Sequence, residues 1–185
     1  MAGAAIRTYL SCMKHFNGRF LLAGLAAAAT MWLMVWHGAW LQTASTPLGI
    51  LDLELARTTS RLEEINQAWY SRSHHATWNI IWDFFFLMAY SSFFYHGLHM
   101  AWKHWQLLSR WGLRWGWVAL LAFLPGIIDA FENIIMLWWL GGHPEVFSPG
   151  VLYWLVWAKF AMAAAWLLIS LPFWLLNLGR LIKRR

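Results

Sequence analysis

Two carboxylates and a carboxamide interrupt an apolar segment, residues 115–140, that is long enough to cross a bilayer. At about 100° per residue, Asp129, Glu132 and Asn133 fall within one narrow arc of a helix, so all three can face the same neighbour. An ionised side chain near the bilayer centre is costly and is normally turned inward and paired. The spacing therefore predicts a polar site inside a membrane.

Lys159 is the predicted partner of these carboxylates. It lies about ten residues from the outer end of the apolar segment 151–176, whereas Asp129 and Glu132 lie about eight to eleven residues from the outer end of theirs. Each charge alone is costly in the membrane, so opposite charges at one depth on neighbouring helices should pair. We expect Lys159 to contact Asp129 or Glu132.

Pro125 and Gly126 stand one turn before Asp129. Proline lacks an N–H and leaves the carbonyl of Leu121 without its helical donor, and the glycine beside it permits a kink. A helix that restarts at this point would aim its positive end toward the carboxylate.

Two other segments supply further candidates. Asp83 and Tyr90 share one face of the segment 77–99. Asp52 and Glu54 open an amphipathic segment, 47–70, and only one of them can point into a central site because they are two residues apart. The alternative is that both acids only interact favourably with the positive, N-terminal end of that helix. The candidate ligand-binding residues are Asp52, Glu54, Asp83, Tyr90, Asp129, Glu132, Asn133 and Lys159.

Composition places these residues in a membrane protein. The chain has 185 residues, of which 61% are hydrophobic, 12% are charged and 17 are tryptophan. The single Cys12 excludes an internal disulfide, a CxxC redox pair and a cysteine-based zinc site. We predict one all-α domain over 1–185, an integral membrane four-helix bundle. Its spans are expected at 20–41, 77–99, 115–140 and 151–176, with an extra amphipathic helix at 47–70 on the outer surface.

The charge distribution predicts an orientation. Ten of the 14 basic residues lie before the first span, between the second and third, or after the fourth, and these segments contain none of the eight acids. The positive-inside rule then places both termini in the cytoplasm of a bacterial inner membrane. Basic segments flanked by tryptophan are typical of contacts with anionic lipid headgroups, so the net charge of +6 does not indicate nucleic acid.

The site leaves three functions open. At least three intramembrane carboxylates face one lysine, and this excess calls for protons, a cation, or a cationic or polar ligand. The first function is binding of such a ligand, or proton handling, from the outer side. The second is a structural or accessory subunit bound to another membrane protein, and the third is a lipid-modifying enzyme that uses a carboxylate pair as acid and base.

A metal or haem function is disfavoured by the spacing of the histidines. No Glu is followed three residues later by His, as carboxylate-bridged di-metal bundles require. His96, His99 and His104 are too few for the histidine boxes of membrane di-iron enzymes, and His37 has no equally deep partner for haem. We therefore predict no metal ligands at the acidic site, and the sequence identifies no cofactor.

Three blocks of the chain resemble those of a group of uncharacterised bacterial four-span membrane proteins. They are Leu51–Ala56, Asp83–Tyr90 and Gly126–Asn133, and they occur in the same order. The resemblance implies that the acids of the three blocks share one site, with Glu54 rather than Asp52 as the member from the first block. It implies no reaction, and Lys159 is not part of it.

Overall fold

The computed structural model describes residues 18–108 and 116–183, and this part of the chain is helical, with no strand. Cys12 and the basic residues at positions 7, 14, 110, 114, 184 and 185, which the predicted orientation uses, lie outside the described residues. The all-α prediction is confirmed. The six helices are α1 (Gly18–Gly38), α2 (Ile50–Glu54), α3 (Thr59–Ala68), α4 (Ser73–Leu108), α5 (Leu124–Leu140) and α6 (Pro149–Lys183).

Three helical segments are long and apolar enough to cross a membrane: Gly18–Leu41, Ala119–Leu140 and Pro149–Gly179. They coincide with three of the four predicted spans. Helix α4 contains the remaining predicted span and has 36 residues, but serine, histidine, asparagine and aspartate interrupt its apolar sequence. Length and composition alone therefore support three spans within the described residues.

Helix α4 is nevertheless the helix around which the others pack. It contacts α1, α5, α6 and the 3₁₀ segment Gly116–Phe123 that precedes α5. Small residues let two of these neighbours approach closely: Gly126 of α5 faces Ser91, and Gly97 of α4 faces Ser170 of α6. The glycines bring the helix backbones together, as is common where helices associate within a membrane.

The segment predicted as one helix over 47–70 forms two short helices, α2 and α3, which we call the cap. Gly49, at φ 64°, precedes α2, so the first helix begins at Ile50 rather than at position 47. The Thr46 hydroxyl is buried and donates to the carbonyl of Leu41. A break at 55–58 separates the helices, and Thr58 caps α3 by accepting a hydrogen bond from the backbone N–H of Arg61.

Two apolar clusters enclose a polar layer. The cap-end cluster includes Leu53, Ile80, Ile135 and Val156, and so joins the cap to α4, α5 and α6. The second cluster, nearer the opposite end, is built of Phe20, Tyr90, Phe93, Phe94, Leu98, Ala119 and Ala122. The buried charged residues of α4, α5 and α6 lie between these clusters along the chain. The fold therefore holds them in an interior bounded by apolar side chains at both ends.

The contact between Gly97 and Ser170 predicts a test of the packing. A Cβ at Gly97 would lie 2.7 Å from Ser170 Cα and closer still to its side chain, so α4 and α6 would have to separate. We expect Gly97→Ala to lower the free energy of unfolding by about 1–3 kcal/mol, the usual cost of overpacking. Gly179→Ala on α6 is the control because nothing lies within 4 Å of its added Cβ. Denaturant titration of both purified variants checks this prediction, and equal stabilities would contradict it.

Candidate functional site

The restart of helix α5 places three polar side chains on one buried face. The 3₁₀ segment ends at Phe123, α5 begins at Leu124, and Pro125 occupies the first turn, where its missing N–H is not needed. Asp129 is 4% exposed, and Glu132 and Asn133 are not exposed at all. The chain thus changes helix type beside the proline, as its sequence suggests, and the N-terminus of α5 lies one turn before Asp129.

Lys159 of α6 lies among three carboxyl groups. Its Nζ is 2.8 Å from Asp129 Oδ1, 2.8 Å from Glu132 Oε2 and 3.4 Å from Glu54 Oε2. The lysine is 5% exposed, and the ring of Phe160 lies 4.8 Å from the ammonium. One positive charge therefore joins carboxyl groups from α2 and α5.

Asp129 is bound at both of its oxygens. Lys159 Nζ donates a hydrogen bond to Oδ1 at 2.8 Å, and the Tyr90 hydroxyl of α4 donates to Oδ2 at 2.8 Å. Two donors on opposite oxygens fix the orientation of the carboxyl group. Asp129 consequently connects α4 and α6 through α5.

Glu132 differs from Asp129 although both lie on the same helix face. Its Oε2 forms an ion pair with Lys159 Nζ at 2.8 Å. Its Oε1 is buried and has no hydrogen-bond partner among the described residues. A buried carboxyl oxygen without a donor is costly in the anion, so Oε1 calls for a proton or a cation.

Asp83 joins the site through Asn133. The Asn133 amide nitrogen donates to Asp83 Oδ2 at 2.6 Å, and Asp83 interacts electrostatically with Asp129, Glu54 and Lys159. The other atom of the amide, Asn133 Oδ1, is buried and has no hydrogen-bond partner in the described part of the chain. This carbonyl oxygen is a second buried acceptor that lacks a donor.

The two acids of helix α2 face different groups. Glu54 reaches Lys159, whereas Asp52 accepts hydrogen bonds from the backbone N–H of Leu48 at 2.7 Å and from Arg61 at 3.1 Å. Arg61 also pairs with Glu64 at 2.7 Å, and this hydrogen bond, with the weaker one to Asp52, raises the pKa of the guanidinium above its ordinary value. Asp52 stabilises the cap, and only Glu54 of the pair contacts the buried lysine.

The site holds more negative than positive groups. Glu54, Asp83, Asp129 and Glu132 are each at most 8% exposed, and Lys159 is the only basic residue in contact with any of them among the residues described. Within the same ranges no group of three or more His, Cys, Asp or Glu side chains is placed to hold a metal ion. The ammonium itself lies where the three carboxyl groups converge.

Some neighbours of the site are not evident in the sequence pattern. Phe160 follows Lys159 directly, and its position over the ammonium depends on side-chain conformation. Three histidines meet at the cap end, where His37 joins the adjacent pair His74 and His75: the His75 ring lies 4.0 Å from that of His74 and 5.3 Å from that of His37. His37 lies at the end of α1 and His75 at the start of α4, so the two residues lie at the same end of neighbouring helices. This match in position is the signal that predicts the His37–His75 contact.

Comparison of the chain with family models, with curated proteins and with solved structures finds no match. The geometry of the acidic site therefore carries the functional inference.

Proposed function

We propose that this protein binds positive charge, as protons or as a small cationic or polar ligand, at a buried acidic site within a membrane. The observation that carries the proposal is the imbalance of four buried carboxyl groups against one ammonium. Burial in a low-dielectric interior makes an uncompensated net charge costly. Glu132 Oε1 and Asn133 Oδ1, which are buried and have no donor among the described residues, are where added positive charge would be stabilised.

The proposed topology has four spans, with α4 as the second. Its 36 residues extend about 54 Å at the usual rise, which exceeds the thickness of a hydrocarbon core, and it packs among the three apolar helices. The distribution of basic residues supports cytoplasmic termini and a bacterial inner membrane, with the cap on the outer side. Anionic lipid headgroups are the proposed contacts of the basic ends, and membership of the uncharacterised four-span group remains a prediction.

The accessory-subunit alternative makes a different prediction about the same residues. A structural ion pair needs one acid for one base, and a single carboxylate on Lys159 would join the helices. Here three carboxyl groups approach one ammonium and a fourth lies beside them. The surplus favours a site that takes up charge over one that only joins helices.

A stability measurement tests the proposal. In nanodiscs, we expect the unfolding temperature of the unmodified protein to rise on acidification, or on addition of sodium, potassium or methylammonium chloride relative to choline chloride, because bound charge stabilises the folded state. Asp83→Asn should diminish that response, whereas Glu64→Gln, in an exposed surface pair, should leave it unchanged.

Native mass spectrometry of the same samples distinguishes a bound small cation from a bound partner protein. A stability that is independent of pH and of every added cation, together with a stoichiometrically bound membrane protein, would contradict the proposal and favour the subunit. A retained small cationic adduct that Asp83→Asn removes would support it.

A further inference from the structure

The acids of the site divide according to whether their oxygens are already bound. Both oxygens of Asp129 accept hydrogen bonds at 2.8 Å, from Lys159 and from Tyr90. Glu132 is fully buried, its Oε2 lies 2.8 Å from Lys159 Nζ, and its Oε1 has no hydrogen-bond partner within the described ranges. A proton added to Asp129 would displace a donor, whereas a proton added to Glu132 Oε1 would displace none.

We propose that Glu132 is the carboxyl group that takes up and releases the exchangeable proton, and that Lys159 relays this proton to Glu54. The inference rests on the proposed function and deepens it, because it names the proton as the ligand and assigns a role to each residue. Asp129, whose Oδ1 accepts a hydrogen bond from Lys159 Nζ, holds the lysine in position.

The relay follows from the three carboxyl groups around one ammonium. Glu132 Oε2 lies 2.8 Å and Glu54 Oε2 lies 3.4 Å from Lys159 Nζ, so both acids are within one step of the same nitrogen. One N–H bond of Lys159 breaks as an O–H bond forms on Glu54. The O–H bond of Glu132 breaks as a new N–H bond forms on Lys159. The lysine is an ammonium before and after, and the net change is one proton moved from Glu132 to Glu54.

Glu54 is the acid placed for exchange with the exterior. Of the four buried acids, it alone is carried by the cap, on the five-residue helix α2, and its contact with Lys159 is the longest of the three. Apolar side chains bound the site at both ends, but at the cap end Glu54 itself lies beside Leu53 of that boundary, whereas Phe93, Phe94 and Leu98 close the opposite end. The cap is therefore the side from which the site exchanges protons.

The charged groups around Glu132 are consistent with this role. Glu54 faces it from α2, Lys159 from α6 and Asp129 from its own helix, and each interacts with it electrostatically. The Tyr90 hydroxyl of α4 also interacts with Glu132. Asp83, on the same helix as Tyr90, interacts with both Glu54 and Asp129. The two neighbouring carboxyl groups disfavour the anionic form of Glu132, and the ammonium favours it. A change in the charge of Glu54 or Lys159 can therefore change whether Glu132 holds the proton.

Infrared spectroscopy of the full chain in nanodiscs tests the proposal. We expect the C=O stretching band of a protonated, buried carboxyl group, shifted by deuterium exchange. The band should also shift when glutamate, but not aspartate, carries a ¹³C carboxyl label. Glu132→Gln should abolish the band. Glu54→Gln should retain the band and slow its deuterium shift severalfold, whereas Glu64→Gln, a control at an exposed glutamate, should change neither.

Each other outcome overturns the proposal. A band that shifts with labelled aspartate and disappears in Asp83→Asn places the proton on another acid and leaves the proposed function intact. Absence of the band together with cation-dependent stability rejects the proton as the ligand and leaves the proposed function intact, and absence of both rejects the function as well. If Glu132→Gln does not fold, Glu54→Gln with labelled glutamate decides. The remaining glutamates at 63, 64 and 145 are exposed, so a surviving band belongs to Glu132 and a lost band belongs to Glu54.

Discussion

Lys159→Met is expected to lower the free energy of unfolding by about 3–5 kcal/mol, the usual cost of removing one partner from a buried ion pair. The side chain is 5% exposed and balances three carboxyl groups, so its loss leaves their charge uncompensated in an apolar interior. Methionine preserves most of the volume of the lysine side chain and can still pack against the ring of Phe160. Denaturant titration in detergent measures the change.

Two controls separate charge from packing. Glu64→Gln removes one carboxylate from an exposed pair with Arg61 and should cost at most about 1 kcal/mol. Acidification should reduce the cost of Lys159→Met, because protonated carboxyl groups no longer need the ammonium. A loss below about 1 kcal/mol at neutral pH would mean that the carboxyl groups are already neutral and that Lys159 does not balance them.

Replacing Lys159 and Asp129 together distinguishes a structural pair from a larger site. If the two only stabilise the fold, Lys159→Met combined with Asp129→Leu should restore most of the lost stability. Since Glu132 and Glu54 also approach the ammonium, we expect the double variant to recover only part of it. Full recovery would contradict the charge-uptake proposal.

Helix geometry explains why part of the site can be predicted from the sequence. The positions of Asp129, Glu132 and Asn133 on one arc follow from helical periodicity, and the match in depth with Lys159 follows from the rise per residue. Both rules need only continuous helices on either side of a short loop. The structure brings Lys159 to Asp129 and Glu132, the two residues that those rules single out.

The cap shows where periodicity fails. Asp52 and Glu54 are equivalent candidates on a single long helix, but the chain breaks at 55–58 and buries Ala56, so α2 has its own orientation. Arg61, from the next helix, then binds Asp52 and leaves Glu54 to Lys159. These contacts depend on tertiary packing across the break, which no local pattern encodes.

Helix α4 shows a related limit of hydropathy. Asn79 and Asp83 serve as hydrogen-bond partners for α1 and α5, with Asn79 donating to the Met34 carbonyl at 2.9 Å. The polar residues that tie this helix to its neighbours are the same ones that lower its apolar character. By length and composition α4 is therefore not identified as a candidate span, whereas α1 and α6, whose exposed faces are apolar, are.

The attachment of the cap, and with it the position of Glu54, depends strongly on Trp69. The indole is 1% exposed within the cap-end cluster, and its N–H donates to the carbonyl of Leu41 at 2.8 Å. Thr46 Oγ1, at 3.1 Å, is a second acceptor for the same N–H. Trp69 thus joins the end of α3 to the end of the first apolar segment, and it shares the cap-end cluster with Leu53, which precedes Glu54.

We expect Trp69→Ala to lower the free energy of unfolding by about 3–5 kcal/mol, because it leaves a large cavity and removes the hydrogen bond to Leu41. Tyr70→Ala is the matched control: the neighbouring aromatic side chain is 87% exposed and should cost no more than about 0.5 kcal/mol. Hydrogen exchange followed by mass spectrometry should locate the loss, with faster exchange over 50–68 than in α5 and α6. Equal stabilities of the two variants, or exchange unchanged in the cap, would mean that Trp69 does not hold Glu54 over the buried lysine.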